Sequence, residues 1–122
     1  MKPLLMFTAA IAILTLAALV PPTSSTAQAA DDGATTFATY CSTCHGTTGK
    51  GDGPAAAALD PKPADFSTED FWKTRDDAAI TKVIKEGGAA VGKSPLMAAW
   101  GAILSDEQIT AVVAHMKTLK GK

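Results

Sequence analysis

Cysteine and aromatic residues are scarce in this chain: of 122 residues, two are Cys, one is Tyr, two are Trp and four are Phe. Two Cys cannot build a disulfide scaffold, and 10 Gly are too few for a collagen-like repeat. No charge of one sign dominates either, since 11 Lys and Arg face 12 Asp and Glu for a formal net charge of −1. A basic surplus of the kind that marks nucleic-acid binders is therefore missing. Disorder is excluded from the other side, because 47% of the residues are hydrophobic. Much of that share is Ala, with 24 copies, and many of the larger aliphatic residues sit in the first 20 positions. Without those positions, the remaining core is thin.

Those first residues read as an address. Lys2 is the only charge before Asp31, and Leu4 to Val20 forms an uncharged apolar run of 17 residues. Pro21, Pro22 and a Ser/Thr stretch then lead to Ala27-Gln28-Ala29, a small-x-small cleavage pattern. A secretory signal peptide over 1–29 and a single mature domain over 30–122 are expected, with an uncleaved membrane anchor as the alternative. The 93 residues that remain allow one domain of limited hydrophobic free energy. Domains of that size often recruit a disulfide, a metal or a cofactor to complete the core.

Both cysteines lie in Cys41-Ser42-Thr43-Cys44-His45. Two Cys separated by two residues suit a redox dithiol, half of a zinc site or a covalent haem attachment. The His that follows favours the last. Cys-x-x-Cys-His is the haem c signature: two thiols three apart on one helical face can each bond a vinyl group, and the next residue offers its imidazole to the iron.

From Thr36 onward the sequence resembles the small class I c-type cytochromes, single-haem electron carriers of bacterial periplasms. The resemblance rests on Phe37, Cys41-Ser42-Thr43-Cys44-His45-Gly46, Gly49-Lys50-Gly51-Asp52-Gly53-Pro54, Pro63-Ala64-Asp65-Phe66, Ser94-Pro95-Leu96-Met97, Trp100-Gly101 and a closing helix from Ser105. It implies that Pro54 places its carbonyl on the outer ring N–H of His45, the kind of bond that orients imidazole ligands. It also implies that Trp100 packs near the haem, where its indole N–H can reach a propionate, and that Phe37, Tyr40, Phe66 and Leu96 line the pocket.

Read segment by segment, the pattern is helical throughout, with no alternating strand signal. Phe37, Tyr40, Cys41 and Cys44 share one face of a short helix over Thr36 to Cys44. Gly and Pro between Gly46 and Pro63 read as loop. Asp76 or Thr74 caps a helix carrying Ile80, Val83 and Ile84 and stopped by Gly87-Gly88. Ser105 with Gln108 three residues on forms a capping box before an apolar stripe of Ile109, Val112, Val113, Met116 and Leu119, whose expected partner is the first helix. The expected fold is all-α, a small cytochrome c fold of three to five short helices around one covalently attached haem.

For the sixth iron position the candidates are Met97, Met116 and His115. Met116 sits on the apolar stripe of the last helix, where a Met serves as core filler, and His115 lies at that stripe's edge, facing solvent. Met97 stands in an irregular segment between Pro95 and Trp100, 52 residues after His45, where a loop can project a thioether inward. With His45 and Met97 as axial ligands no position is left for a substrate. An electron-transfer protein rather than an enzyme is expected.

Gly87 to Ser94 also matches the phosphate-loop pattern G-x-x-x-x-G-K-S, but a helix precedes it where a strand is required, so no nucleotide is expected. Charge is asymmetric, net −5 from Ala30 to Asp77 and +3 from Ala78 to Lys122, which orients encounter with a redox partner. The expected role is a monomeric periplasmic carrier between redox proteins, touching the membrane only if the leader is retained. The alternative is a dedicated haem subunit of a dehydrogenase or reductase complex.

Overall fold

The structure, a computed structural model, describes residues 25–122. Most of the expected leader, Met1 to Ser24, lies outside the described residues. Five helices follow in order: α1 (Ser25–Tyr40), α2 (Ser42–His45), α3 (Glu69–Lys73), α4 (Asp77–Glu86) and α5 (Asp106–Thr118), with short 3-10 turns at Ala56–Ala58 and Ala89–Val91. Among the described residues there is no strand, as an all-α fold requires.

The first helix is longer than the sequence pattern suggests, and the boundary expected after Ala29 falls within it. The single helix expected over Thr36 to Cys44 is divided at Cys41. The Cys41 amide still donates to the Phe37 carbonyl at 2.9 Å, and the Cys44 and His45 amides both turn back to the Cys41 carbonyl at 3.2 and 2.9 Å. The five-residue α3 is too short to show a helical period. Thr68 caps it by accepting from the Phe71 amide, and Glu69 and Asp70 occupy its first turn, where the helix dipole favours acids. Asp76, not Thr74, caps α4, its carboxylate accepting from the Ala79 amide at 2.8 Å.

α5 forms as its sequence implies. The Ser105 hydroxyl accepts from the Gln108 amide at 3.2 Å, and the Gln108 side chain accepts from the Ser105 amide at 2.9 Å. This reciprocal pair satisfies two amides that the helix itself leaves free. Ile109, Val112, Val113, Met116 and Leu119 are all buried. At about 1.5–3 kcal/mol for each large aliphatic side chain taken from water, this stripe is a main apolar contribution to the fold. Its partner is α1, as expected. Gly33 permits the close crossing, because a β-carbon there would overlap the Ala111 carbonyl, and Phe37 reaches across to His115 with ring centroids 5.2 Å apart. Ion pairs Lys117–Asp77 (2.6 Å) and Lys85–Asp106 (2.8 Å) tie α5 to α4, and Lys120–Glu69 (3.1 Å) ties the residues after α5 to α3. All are solvent-exposed, where such pairs contribute about 0–1 kcal/mol each.

Candidate haem-binding site

Between the α1–α2 corner and the segment following α4 lies a cavity of about 480 Å³, within the ~300–1,000 Å³ typical of small-molecule sites. The last turn of α1 supplies Phe37 and Tyr40 to its wall, and the short α2 region supplies Cys41, Cys44 and His45. Phe66, Leu96, Met97 and Trp100 complete the set of pocket residues expected from sequence that line the same cavity. The fold thus brings the two cysteines, His45 and Met97 to one space.

Pro54 does not join them. It is exposed and lines a separate polar groove with Ser42, Thr43, Gly46 and Asp52, so its expected place among the pocket-lining residues is corrected. Hydrogen bonding of the glycine-rich loop gives the reason. The Gly51 amide donates to the His45 carbonyl at 2.8 Å, Gly53 to Cys44 at 3.2 Å and Ala55 to Thr43 at 2.9 Å. These bonds clamp the loop around the backbone of α2 and leave Pro54 on its solvent side. The His45 Nδ1 atom is buried and has no hydrogen-bond partner. Burial pulls the imidazole below its ordinary value, and the nearby Ala64 carbonyl offsets part of that pull.

His45 is held instead by a ring. Phe66 stacks on it with centroids 4.6 Å apart and planes inclined by 26°. Phe66 in turn meets Phe37 edge-on at 6.3 Å and Phe71 at 4.9 Å. The indole N–H of Trp72 donates to the Phe66 carbonyl at 2.7 Å, so the tryptophan for which sequence suggested no role anchors the pocket from behind.

Burial, and then the adjacent Cys44 thiol, push Cys41 up to about 11, whereas redox-active cysteines carry lowered values. Among the described residues no group of three or more His, Cys, Asp or Glu side chains is placed to hold a metal ion.

Met97 is half-buried and packs against the core, and Leu96 beside it is 61% exposed. This segment is positioned by the residues that mimic a phosphate loop. The Gly88 amide donates to the Met97 carbonyl at 2.9 Å, and a β-carbon at Gly88 would overlap the Ser94 carbonyl. The Val91 and Lys93 amides both bond the Gly88 carbonyl, and that of Gly92 bonds Ala89. Amides that would cradle phosphates are spent on the loop itself, and its glycines serve close approach to Met97.

His115 lies outside the cavity, half-buried against Phe37 rather than simply facing solvent. Met116 is buried in the core at 3% exposure and also lines the cavity. Among the lining residues that sequence reasoning did not place in the pocket are three cations. Lys62, Arg75 and Lys93 line the cavity, and no carboxylate does. Lys62 Nζ donates to the Ala56 and Ala57 carbonyls at 2.7 and 3.2 Å, and the Arg75 guanidinium lies 4.7 Å above the Phe71 ring. Arg75 stood next to the capping Asp76, a position that reads as a helix boundary and hides any other role.

These features fit a haem. The wall is mostly apolar, two thiols, an imidazole and a thioether line it, and three cations with no carboxylate suit a flat group bearing two propionates. Residues 28–116 match the family described as cytochrome c oxidase, cbb3-type, subunit III. Over 94 residues the chain is 37% identical to the cbb3-type cytochrome c oxidase subunit FixP of Azorhizobium caulinodans, a match covering 76% of this chain and 28% of FixP. A solved structure, the reducing HAO-like protein complex of Kuenenia stuttgartiensis, superposes with a TM-score of 0.61 at 27% identity, covering 74% of this chain and 42% of its counterpart. Matched over most of its length by that family and furnished with Cys-x-x-Cys-His at the wall of a fitting cavity, the chain belongs to the cbb3-type subunit III family as a small c-type cytochrome, an electron-transfer protein carrying covalent haem c.

Proposed function

We propose that this protein is a one-electron carrier in which Cys41 and Cys44 hold the haem by thioether bonds and His45 and Met97 are the axial ligands. The observation that carries the reading is the placement of His45 and Met97 in one cavity with both thiols. When bound, haem c supplies a reversible one-electron couple at iron. A neutral imidazole on one side and a soft thioether on the other favour the ferrous state and raise the potential relative to two imidazoles. With His45 and Met97 both holding the iron, ligation would not change with redox state and little reorganisation would accompany transfer. Lys62, Arg75 and Lys93 supply positive charge toward the propionates. Tyr40 and Leu96, both cavity-lining and exposed at 41% and 61%, mark where the cavity opens to a redox partner.

We infer export to the periplasm, with the apolar segment Leu4 to Val20 as the leader. Among the described residues no helix is long and apolar enough to cross a membrane.

A second reading is favoured by the comparisons: FixP is a subunit of an oxidase, and the solved neighbour is a protein complex. The chain spans 28% of FixP, so a dedicated subunit role belongs to this alternative. Co-purification of the native protein with a large redox enzyme would select it, and a monomer in the periplasmic fraction selects the free carrier.

The ligand assignment is tested by the absorption spectrum of the oxidised holoprotein. Met97→Ala is expected to lose the weak red-end band of iron–thioether ligation, and Met116→Ala to keep it. The reverse result would move the ligand to α5.

A further inference from the structure

The loop that carries Met97 is steadied mostly from within. The Gly88 amide bonds the Met97 carbonyl, the Met97 amide bonds Ser94, and the Val91 and Lys93 amides bond Gly88. Ala98 and Ala99, which follow Met97, are exposed and bring only a methyl group each. The chain is fastened to α4 beyond them, where the Trp100 amide donates to the Ile84 carbonyl at 2.9 Å and the Gly101 amide to that of Lys85 at 3.1 Å. Trp100 is thus a large side chain on a fixed base, three residues after the thioether.

The ring that meets this indole comes from a different element. Tyr40 is the last residue of α1 and directly precedes Cys41. Its ring and that of Trp100 have centroids 5.4 Å apart and planes inclined by 56°, within the ~4.5–7 Å over which tilted aromatic pairs attract. Both residues line the cavity, yet Tyr40 is 41% exposed and Trp100 only half-buried. The contact therefore lies at the rim, not in the core. There it joins the helix that leads into the two thiols to the loop that bears Met97.

We propose that Tyr40 and Trp100 form a latch across the rim of the cavity: by packing on each other they hold the Met97 loop against the end of α1 and set how often the thioether leaves the iron. Both are positioning residues that act through the loop, and the proposal rests on Met97 being an axial ligand. An aromatic pair of this geometry shifts a local equilibrium by roughly 2- to 10-fold, and loss of one ring should make release that much more frequent. A released site accepts a neutral nitrogen base such as imidazole, whose nitrogen takes the position the sulfur has left with no change of oxidation state.

The oxidised holoprotein and its Tyr40→Ala, Tyr40→Phe and Ile103→Ala variants are titrated with imidazole and, separately, with denaturant. Apparent imidazole affinity scales with the fraction of molecules in which Met97 is off. Tyr40→Ala is expected to bind imidazole roughly 2- to 10-fold more tightly and to lose the red-end band at lower denaturant, with the circular-dichroism midpoint near that of wild type. Tyr40→Phe keeps the ring and the wild-type values. Ile103→Ala trims an apolar side chain that is 62% exposed and outside the cavity lining, and it too leaves both readings in place. A folded Tyr40→Ala protein with wild-type imidazole affinity and band midpoint would overturn the proposal. So would an equal change in Tyr40→Phe or Ile103→Ala, or a circular-dichroism midpoint that falls in step with the band.

The pairing is read from a cycle with Trp100→Ala: the double variant should release Met97 no more often than Trp100→Ala alone, and additive effects would overturn the latch. Where Trp100→Ala does not yield holoprotein, the reduced wild type decides, through cross-relaxation between the ring protons of Tyr40 and Trp100, whose absence would overturn it. A Met97→Ala protein that keeps the red-end band would overturn the ligand assignment itself. Loss of the band in Met97→Ala, beside a Tyr40→Ala protein that behaves as wild type, would overturn the latch alone.

Discussion

The two walls of the cavity are built by different means. On the His45 side every turn of backbone is tied to another: Gly51 to His45, Gly53 to Cys44, Ala55 to Thr43. Rings pack behind it, with Phe37 and Phe66 nearly inaccessible to solvent. On the Met97 side a loop carries exposed residues; its bonds are mostly within itself, Gly88 to Met97 and Met97 to Ser94 among them, and it rejoins α4 only at Trp100 and Gly101, through Ile84 and Lys85. The difference teaches where rigidity is needed. Under the proposed ligation, covalent attachment and the imidazole demand a fixed frame, whereas a thioether on a loop can be released without unfolding the rest.

The largest effect should come from breaking the rigid wall. Phe37 is 2% exposed and joins Phe66 to α5 through His115. Phe37→Ala leaves a cavity beneath the haem frame and is expected to cost about 3–5 kcal/mol of global stability. Denaturant titration of the holoprotein checks it. The iron–thioether band and the helical signal should be lost together, at a lower midpoint than in wild type.

Breaking the other wall should separate those signals. Gly88→Ala forces a β-carbon against the Ser94 carbonyl and displaces the strand of chain that carries Met97. A cost of about 1–3 kcal/mol is expected, as for other overpacked sites. Its expression is local. The red-end band should vanish at denaturant concentrations where circular dichroism is still native, and coincident loss of both signals would show that the two walls unfold as one. A smaller and purely global effect is expected from Ser105→Ala, which removes the capping box of α5 at about 1 kcal/mol and should shift both signals equally.

The contrast between walls also explains how much was legible in the sequence. Cys41, Cys44 and His45 declare themselves because covalent chemistry fixes residue types at fixed spacing. The capping box and apolar stripe of α5 are equally visible, since both are local patterns with a period. Pro54 is expected in the pocket and lies in a neighbouring groove instead, because the path of a glycine-rich loop depends on tertiary hydrogen bonds that no local pattern records. For the same reason the role of Gly88 was hidden inside a phosphate-loop pattern. The structural use of that glycine, close approach to Met97, is decided by a segment nine residues downstream. Cavity cations were missed because Lys62, Arg75 and Lys93 are ordinary surface residues until the fold gathers them.

The smallest expected effect concerns pH and belongs to the rigid wall. His115 lies against Phe37, and burial, with Lys122 nearby as the lesser cause, holds its imidazole below the ordinary 6.5. His45 is the chain's other histidine; in its proposed role as an iron ligand it would not exchange protons with solvent, which leaves His115 as the histidine that titrates in the folded state. The unfolded chain protonates His115 first as pH falls from about 6.5, while the folded protein resists. Through that window the unfolded state binds more protons, so stability is full above 6.5 and is lost as pH falls toward the lower folded value. The ring is partly exposed and its interaction with Lys122 is screened by salt, which keeps the loss small. Holoprotein denaturation midpoints followed between about pH 8 and pH 5 should therefore decline gently in wild type and more gently in His115→Gln. Because Phe37 connects His115 to the His45 wall, the decline should appear in the global transition and leave the separate release of Met97 unmoved. An acid shift confined to the thioether band would place the sensitive group on the other wall.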